Sequence, residues 1–315
     1  MSTGPSGPGV PTGAGGERSA GSADVVPIVW VDAFSDGPFT GNPAAVCLLE
    51  RPAPEEAMQS LAFEIGLSET AFVWPREEGF GLRWFTPVAE VDLCGHATVA
   101  AAHALAGAGR LDAGRARFST KSGWIEATVD GDQIEVDLPG EVPRPVDVPV
   151  VLATRWPVLR AATTRFDLLV ELESERAVRD LYPAAVDLAS LPHRGVAVTA
   201  KAAAGAGAAE GAGAAAGARA AAGAGPATDY VLRFFAPRVG VPEDPVTGSA
   251  QCYLGPYWAA ALGRVQLCAA QLSARRGVLR VQVRGTRVGV AGRAVTVLHG
   301  AVTGEAARVL TAGSR

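Results

Sequence analysis

Short runs of apolar and β-branched residues, separated by Gly, Pro and Asp, recur along most of the chain and predict β-strands. The predicted strands lie at residues 26–34, 44–50, 70–74, 80–87, 165–172, 195–200 and 229–237, and two more have the sequences VLRVQVRG and AVTVLHGAV. The sequences WIEATVD and QIEVDLP flank Asp130-Gly131-Asp132, a turn that favours a β-hairpin. The chain is therefore predicted to be rich in strands.

Helices are predicted in fewer places. One lies between Pro54 and Gly66, residues typical of a helix start and a helix end, with apolar residues at the spacing of one helix face: Met58, Leu61, Ala62 and Ile65. A second is predicted at about 96–106 and a short one near 174–181. Because strands outnumber helices, we expect an α+β fold and not a doubly wound parallel sheet.

Residues 85–105 and 235–262 repeat one pattern, in which a Glu is followed by a Gly, an Ala and an Ala-rich helical stretch: Glu90, Gly95 and Ala97; Glu243, Gly248 and Ala250. The repeat predicts two similar domains, each a mixed sheet wrapped around a central helix, that face each other across a cleft. Each helix N-terminus would point unpaired N–H groups and the positive end of its dipole into that cleft. Such a cleft suits a small carboxylate.

Low-complexity segments divide the remaining chain. Residues 1–24 are mostly small and polar and are predicted to be a disordered tail, and residues 200–228, dominated by Ala and Gly, are predicted to be a surface insertion. We expect an N-terminal domain at 25–120, to which residues 298–312 return, and a C-terminal domain at 121–297 that carries the insertion.

Composition excludes several classes of function. The 315 residues carry a net charge of −4 with scattered basic residues, so no nucleic-acid or membrane-surface patch is indicated. Neither a membrane-spanning run nor a secretory signal is present, and the few cysteines lack metal-ligand spacing, so we expect a reduced, cytoplasmic protein without a metal site. The nucleotide-binding motifs GxGxxG and GxxxxGKS are missing in their required settings, so neither NAD nor ATP is indicated.

Two candidate catalytic residues lie in the first half. Glu69 stands between the Gly66 helix end and an apolar strand, where partial desolvation suits a carboxylate to general acid/base work. His96 lies at the start of a helix, which favours its neutral form. The ordinary alternatives are a solvated Glu at a strand end and a histidine that helps to cap the helix. His103 is interpreted as a packed or capping histidine.

The second half offers the segment Glu243-Asp244-Pro245-Val246-Thr247-Gly248-Ser249 at a helix entrance. It supplies a carboxylate, hydroxyls and amide donors together. The alternative is an ordinary N-cap, since Thr and Ser are common before helices. The loop at 37–43 is interpreted as a plain turn, although a pocket lining is also possible.

Four stretches resemble the PhzF family, the isomerases of phenazine biosynthesis and their relatives: residues 31–50, 67–74, 83–105 and 233–258. The strings SETAF, DLCGHAT and EDPVTGSA, in that order, are highly specific for the family. The resemblance covers nearly everything from residue 26 onward. It implies a fold like that of diaminopimelate epimerase, with two similar domains and the active site between them.

The resemblance also implies which residues form the site. Glu69 would be the acid/base of a proton-shuttling isomerase, completed by His96, Asp244 and Ser249. Amides and side chains at the two glycine turns would hold a small carboxylate-bearing substrate: Gly95, Thr247, Gly248 and Ser249. The family uses no cofactor and no metal, and its members are homodimers.

One departure from the family pattern is Gln251, which stands where many relatives carry a His. Two alternative functions remain open. A two-thiol racemase would need a cysteine on each side of the substrate, but only Cys94 lies at a glycine turn, opposite Thr247, and Cys252 is a turn deeper in its helix. The other alternative is a binding or interaction protein of the same fold without catalysis.

Overall fold

The structure, a computed structural model, describes residues 25–203 and 227–312. The predicted disordered tail at 1–24 and residues 204–226 of the predicted insertion lie outside the described residues. The described strands form one hydrogen-bonded sheet: β1 (Val25–Ala33), β2 (Asn42–Leu48), β3 (Glu69–Pro75), β4 (Phe80–Phe85), β5 (Glu90–Val91), β6 (Arg115–Thr120), β7 (Gly123–Asp130), β8 (Gln133–Pro139), β9 (Arg144–Val146), β10 (Val158–Thr163), β11 (Asp167–Leu172), β12 (Gly195–Lys201), β13 (Tyr230–Ala236), β14 (Val241–Asp244), β15 (Gln266–Gln271), β16 (Gly277–Arg284) and β17 (Arg287–Thr303).

The described part of the chain has six α-helices: α1 (Glu55–Ile65), α2 (Gly95–Gly107), α3 (Val150–Ala153), α4 (Glu175–Arg179), α5 (Gln251–Leu262) and α6 (Gly304–Thr311). None of these helices is both long and apolar enough to cross a bilayer. The mixture of many strands and few helices confirms the predicted α+β class.

Eight strands close into a ring in the order β1-β2-β3-β4-β6-β7-β8-β17, and β17 pairs back with β1. Helix α2 contacts six of them: β1, β2, β3, β7, β8 and β17. Its sequence is apolar on every face and nearly all of its residues are buried, as expected of a helix enclosed by other elements. Alanine dominates the helix, and its small side chains let strands approach from several directions.

The second half repeats the pairing order of the first. Strands β10, β11, β12, β13, β15 and β16 pair in sequence, with parallel pairs at β11–β12 and β13–β15. The first half has its parallel pairs at the matching places, β2–β3 and β4–β6. Helix α5 contacts β15, β16 and β17. The internal repeat of the sequence therefore corresponds to a repeat in strand pairing.

Strand β17 joins the two halves of the sheet. Residues 287–293 pair with β8, residues 287–291 also pair with β16, and residues 294–303 pair with β1. The sequence predicted a strand only for the AVTVLHGAV part. Gly289 and Gly292 resemble turn signals, but a Cβ on Gly289 would lie 2.9 Å from Cδ of Glu135, and one on Gly292 would lie 2.7 Å from Cδ1 of Phe34. These glycines therefore lie within a continuous strand, where the missing side chains leave room for Glu135 and Phe34 to approach the backbone.

Local chemistry accounts for the elements that were predicted well. Helix α1 follows Pro54, has acidic residues in its first turn, and ends at Gly66 with a left-handed φ of 68°. The β7–β8 hairpin turns at Gly131, whose φ is 58°. The predicted helix at 96–106 is α2, and the predicted short helix near 174–181 is α4, capped by the Ser174 hydroxyl.

Candidate active site

The two glycine turns lie in contact at the entrances of α2 and α5. A Cβ built on Gly95 would stand 3.2 Å from Cα of Gly248 and 3.3 Å from the backbone N of Ser249. One built on Gly248 would lie 3.0 Å from Cε2 of Phe34. Only glycine fits at these positions without moving a neighbour, so residues about 150 apart in sequence bring the two helix entrances together.

Both helix entrances leave backbone donors available. Neither α2 nor α5 has a side chain that hydrogen-bonds its first turn as an N-cap residue would. Within the described residues, no backbone carbonyl accepts from the N–H of Gly248 or Ser249, and the Ser249 hydroxyl makes no hydrogen bond. Unpaired N–H groups at a helix start are suited to an anion.

Glu69 and His96 face each other beside these turns. Glu69 is the first residue of β3, and its Oε2 lies 3.2 Å from Nε2 of His96, the second residue of α2. Oε2 is shielded from solvent but makes no well-aligned hydrogen bond. The hydroxyl of Ser68 lies 3.5 Å from the same His96 nitrogen. A shielded carboxylate without a fixed donor is able to accept a proton from a bound molecule.

The charge of His96 differs from the expectation. Burial lowers the pKa of His96, but the adjacent Cys94 sulfur and the Glu69 carboxylate outweigh it, so the pKa lies well above the usual 6.5. The expectation that the helix N-terminus keeps His96 neutral is therefore wrong. The dipole of α2 is a weaker influence than a carboxylate within 3.2 Å.

Asp244, at the end of β14, contributes a second carboxylate. Its Oδ1 accepts from Nδ2 of Asn42 at 2.7 Å and its Oδ2 accepts from the Thr247 hydroxyl at 2.5 Å. Gln271 holds the same turn, since it accepts from the Thr247 N–H at 2.8 Å and donates to the Asp244 carbonyl at 2.7 Å. Burial raises the pKa of Asp244 to about 6, with Glu69 adding to the rise and His96 opposing it.

Gln251, the departure noted in the sequence, is buried within the first turn of α5. Its Oε1 accepts from the Tyr230 hydroxyl at 2.6 Å and its Nε2 donates to the Thr247 carbonyl at 3.1 Å. Gln251 therefore links the buried Tyr230 to the backbone of the turn that contains Gly248. His103 donates to or accepts from Thr296 at 2.9 Å, which confirms its interpretation as a packed histidine.

Sequence reasoning missed Asn42 as a site residue. Asn42 is fully buried at the start of β2, and its side-chain nitrogen contacts Asp244, Val246 and His96. The interpretation of its loop as a plain turn is wrong for this residue. The sequence signal that could have indicated Asn42 is that the one asparagine of the chain directly follows a glycine. In the structure this glycine, Gly41, has a φ of 76°.

Two thiols and a group of metal-ligating side chains lie at or near the starts of α2 and α5. Glu69, Cys94 and His96 each place one ligand atom within 4.8 Å of the others. Nε2 of His96 lies 3.2 Å from Oε2 of Glu69, and Nδ1 lies 3.5 Å from the Cys94 sulfur. Burial raises the pKa of the Cys94 thiol and that of Cys252, the latter to about 12, which opposes thiolate formation.

A surface cavity of about 1010 Å³ lies against β6 and β7 and shares no residue with this site. Its basic residues include Arg110 and Arg117, which pair with Glu50 and with Glu78 and Glu126.

Comparison with known proteins decides the family. The family model for phenazine biosynthesis-like proteins matches residues 31–300. The chain belongs to the phenazine biosynthesis-like protein family. It is 42% identical over 277 residues to an uncharacterised isomerase of Halalkalibacterium halodurans, covering 87% of this chain and 97% of that protein. With such relatives, this member of the family is an enzyme of the isomerase class.

Solved structures agree with the assignment. A PhzF family protein of Enterococcus faecalis superposes with a TM-score of 0.77 at 34% identity, covering 88% of this chain and 98% of that chain. A predicted epimerase of Pseudomonas aeruginosa superposes with a TM-score of 0.60 at 20% identity, covering 87% and 98%. The second likeness shows the fold alone, which is epimerase-like with a closed, barrel-like sheet.

Proposed function

We propose that this phenazine biosynthesis-like protein is a cofactor-independent isomerase that moves a proton on a small carboxylate-bearing molecule, with Glu69 as the acid/base. The observation that carries the proposal is the solvent-shielded Oε2 of Glu69, 3.2 Å from Nε2 of His96 and next to the contact of the two glycine turns. A general base must have its lone pair free and within reach of the substrate.

The substrate carboxylate would bind the two helix entrances. The N–H groups of Gly95, Gly248 and Ser249 would donate to it, with the hydroxyls of Thr247 and Ser249 alongside. These donors are fixed by the fold before the substrate arrives, so they also stabilise negative charge that develops during reaction. The proposal includes a cleft between two similar domains, each built around one of the helices α2 and α5.

The proton transfer conserves atoms and electrons. The Glu69 carboxylate accepts a proton from a carbon next to a carbonyl, carboxylate or alkene, and the C–H electron pair delocalises into that group. Glu69 then returns the proton to another carbon on the same face, which regenerates the carboxylate. His96, beside Glu69, stabilises the developing negative charge, and Asp244 orients the substrate and relays protons. The homodimeric state remains a prediction.

The test compares Glu69→Gln with Cys94→Ala in deuterium oxide. The wild type is incubated with a panel of β,γ-unsaturated and hydroxylated cyclic carboxylic acids, with benzoate as a non-exchanging control, and C–H exchange is followed by proton NMR. Glu69→Gln should lower exchange by about 10²–10⁴-fold, the range of general acid–base catalysis. Its thermal midpoint should stay near that of the wild type.

Cys94→Ala distinguishes the thiol alternative. We expect exchange within about threefold of the wild type, because the buried thiol is not in its reactive form. Retained exchange in Glu69→Gln would contradict the proposal. A loss confined to Cys94→Ala would favour the two-thiol racemase. Binding of an acid without any exchange would favour the non-catalytic alternative, and a raised thermal midpoint would detect that binding.

A further inference from the structure

Asn42 is the one asparagine in the sequence and is fully buried at the first position of β2. The preceding Gly41 has a positive φ, and a Cβ there would lie 2.3 Å from the Ala33 carbonyl oxygen. The Gly41 N–H donates to the carbonyl of Arg276, and the Gly41 carbonyl accepts from Nε of Arg275. The backbone that leads into Asn42 is therefore fixed by a segment 234 residues further along the chain.

The side-chain nitrogen of Asn42 has two hydrogens and three polar neighbours. Nδ2 lies 2.7 Å from Oδ1 of Asp244, 2.9 Å from the Val246 carbonyl oxygen and 3.1 Å from Nδ1 of His96. The two oxygens are nearer and one is anionic, so they take both hydrogens. Oδ1 of Asn42 accepts from the Ser68 hydroxyl at 3.0 Å. The reverse orientation would turn Oδ1 against the Asp244 carboxylate.

This use of the hydrogens leaves His96 in contact with the Asn42 amide but without a hydrogen from it. Nδ1 gains no hydrogen from Asn42 and has the Cys94 sulfur, 3.5 Å away, as its other polar neighbour. Nε2 points to the opposite side, toward Glu69. The amide of Asn42 contacts both His96 and Asp244 and lies between them, so it determines the separation of the two groups.

We propose that Asn42 is a positioning residue of this site: its amide holds the Asp244 carboxylate and the His96 ring on either side of it, and so keeps Nε2 of His96 aimed at Glu69. The catalytic consequence rests on the proposed function, whereas the geometry is measurable without a substrate. Asn42 acts through His96 and Asp244 and not on the reacting atoms.

The ionisable groups around the amide come from several elements: Glu69 from β3, Cys94 and His96 from α2, Asp244 from β14, and Arg194 before β12 at longer range. Burial raises the pKa of Asp244 to about 6, while the hydrogen bond from Asn42 favours its charged form. The Asn42 amide protons should therefore respond to pH as Asp244 gains or loses its proton.

The first experiment is NMR of the full chain with ¹⁵N in the side-chain amide of asparagine, which labels one residue only. We expect one pair of amide signals, displaced from those of free asparagine, with a transition near pH 6 that disappears in Asp244→Ala, a variant that adds no second asparagine. Signals at the free-asparagine position, or signals that do not change with pH in the wild type, would overturn the proposal.

The second experiment measures deuterium exchange on the acid panel for Asn42→Ala and Asn42→Asp. We expect a loss of about 100-fold, the effect of a displacement of about 1 Å in a catalytic group. Asn42→Asp also places a second carboxylate beside Asp244, which raises its pKa, so the acidic limb of the pH–rate profile should move to higher pH. A purely structural role would not move that limb.

Thr199→Val is the matched control. Thr199 is buried with two hydrogen-bond partners, the Val231 carbonyl and Nε1 of Trp258, and is not part of the site. It should lower the thermal midpoint yet keep exchange within about threefold of the wild type. Wild-type exchange in Asn42→Ala would refute the positioning role. A wild type that exchanges no acid would contradict the proposed function, while the amide signals would still decide the geometry.

Discussion

Replacing Asp244 by Asn should stabilise the fold at neutral pH. The carboxylate has a pKa near 3.8 when the chain is unfolded, and burial raises its pKa to about 6 in the folded protein. The folded state therefore holds this proton more tightly, so the stability of the wild type falls as the pH rises from about 4 to about 6. Asn matches the shape of Asp but carries no charge, and avoids this loss.

The magnitude follows from the displacement of the pKa. At about 1.4 kcal/mol per pKa unit, the change from 3.8 to about 6 corresponds to about 3 kcal/mol of unfolding free energy above pH 7. This is an upper figure, because the Asn variant also turns a donor toward Thr247, whose hydroxyl must rotate to accept. Near pH 4 the two proteins should differ little, since both side chains are then neutral.

The assay is urea unfolding of the wild type and Asp244→Asn at several pH values between 4 and 8. The difference in unfolding free energy should grow with pH and level off above about 7, while exchange activity falls. A variant less stable than the wild type at pH 8, or a difference independent of pH, would refute the reasoning. The expected gain in stability with loss of activity is typical of a strained functional group.

Two further predictions concern Gly95 and Arg83. Gly95→Ala should lower exchange about 100-fold, because its Cβ would press on the Gly248 backbone. Gly107→Ala on the same helix is the control: its Cβ would have no atom within 4 Å, so the variant should keep its activity and gain up to about 1 kcal/mol of unfolding free energy. Equal effects in the two variants would contradict this. Arg83→Met should lower the unfolding free energy by about 2 kcal/mol, because the largely shielded Glu90 loses its bidentate partner at 2.5–2.6 Å and keeps only Lys121. A loss no larger than that of the exposed control Arg117→Met, about 1 kcal/mol or less, would argue against it.

Features set by local chemistry were predictable from the sequence. Pro54 and Gly66 bound α1 as predicted, and the hairpin turn at Gly131 needs only a residue that tolerates positive φ. The contact of Gly95 with Gly248 also followed from the repeated motif, since matching turns of matching halves tend to meet. The roles of Glu69 and Ser249 remain predictions, although Glu69 lies beside His96.

Features set by distant partners were not predictable in the same way. Asn42 donates a hydrogen bond to Asp244, which is 202 residues away, so the local sequence around Asn42 does not indicate this contact. The expectation for His96 considered the helix dipole and omitted Glu69, 27 residues earlier. Strand β17 was underestimated because Gly289 and Gly292 serve close approach to Glu135 and Phe34, which the sequence does not place nearby.

The pairing of β1 with β17 has a consequence for synthesis on the ribosome. Val25 pairs with Thr303, and β8 depends on residues 287–293 of the same strand. A nascent chain that stops before residue 287 has two uncovered strand edges and a seam that exposes the apolar helix α2, a state prone to misassembly. Closure of the ring by β17 is therefore a late event in synthesis of the chain.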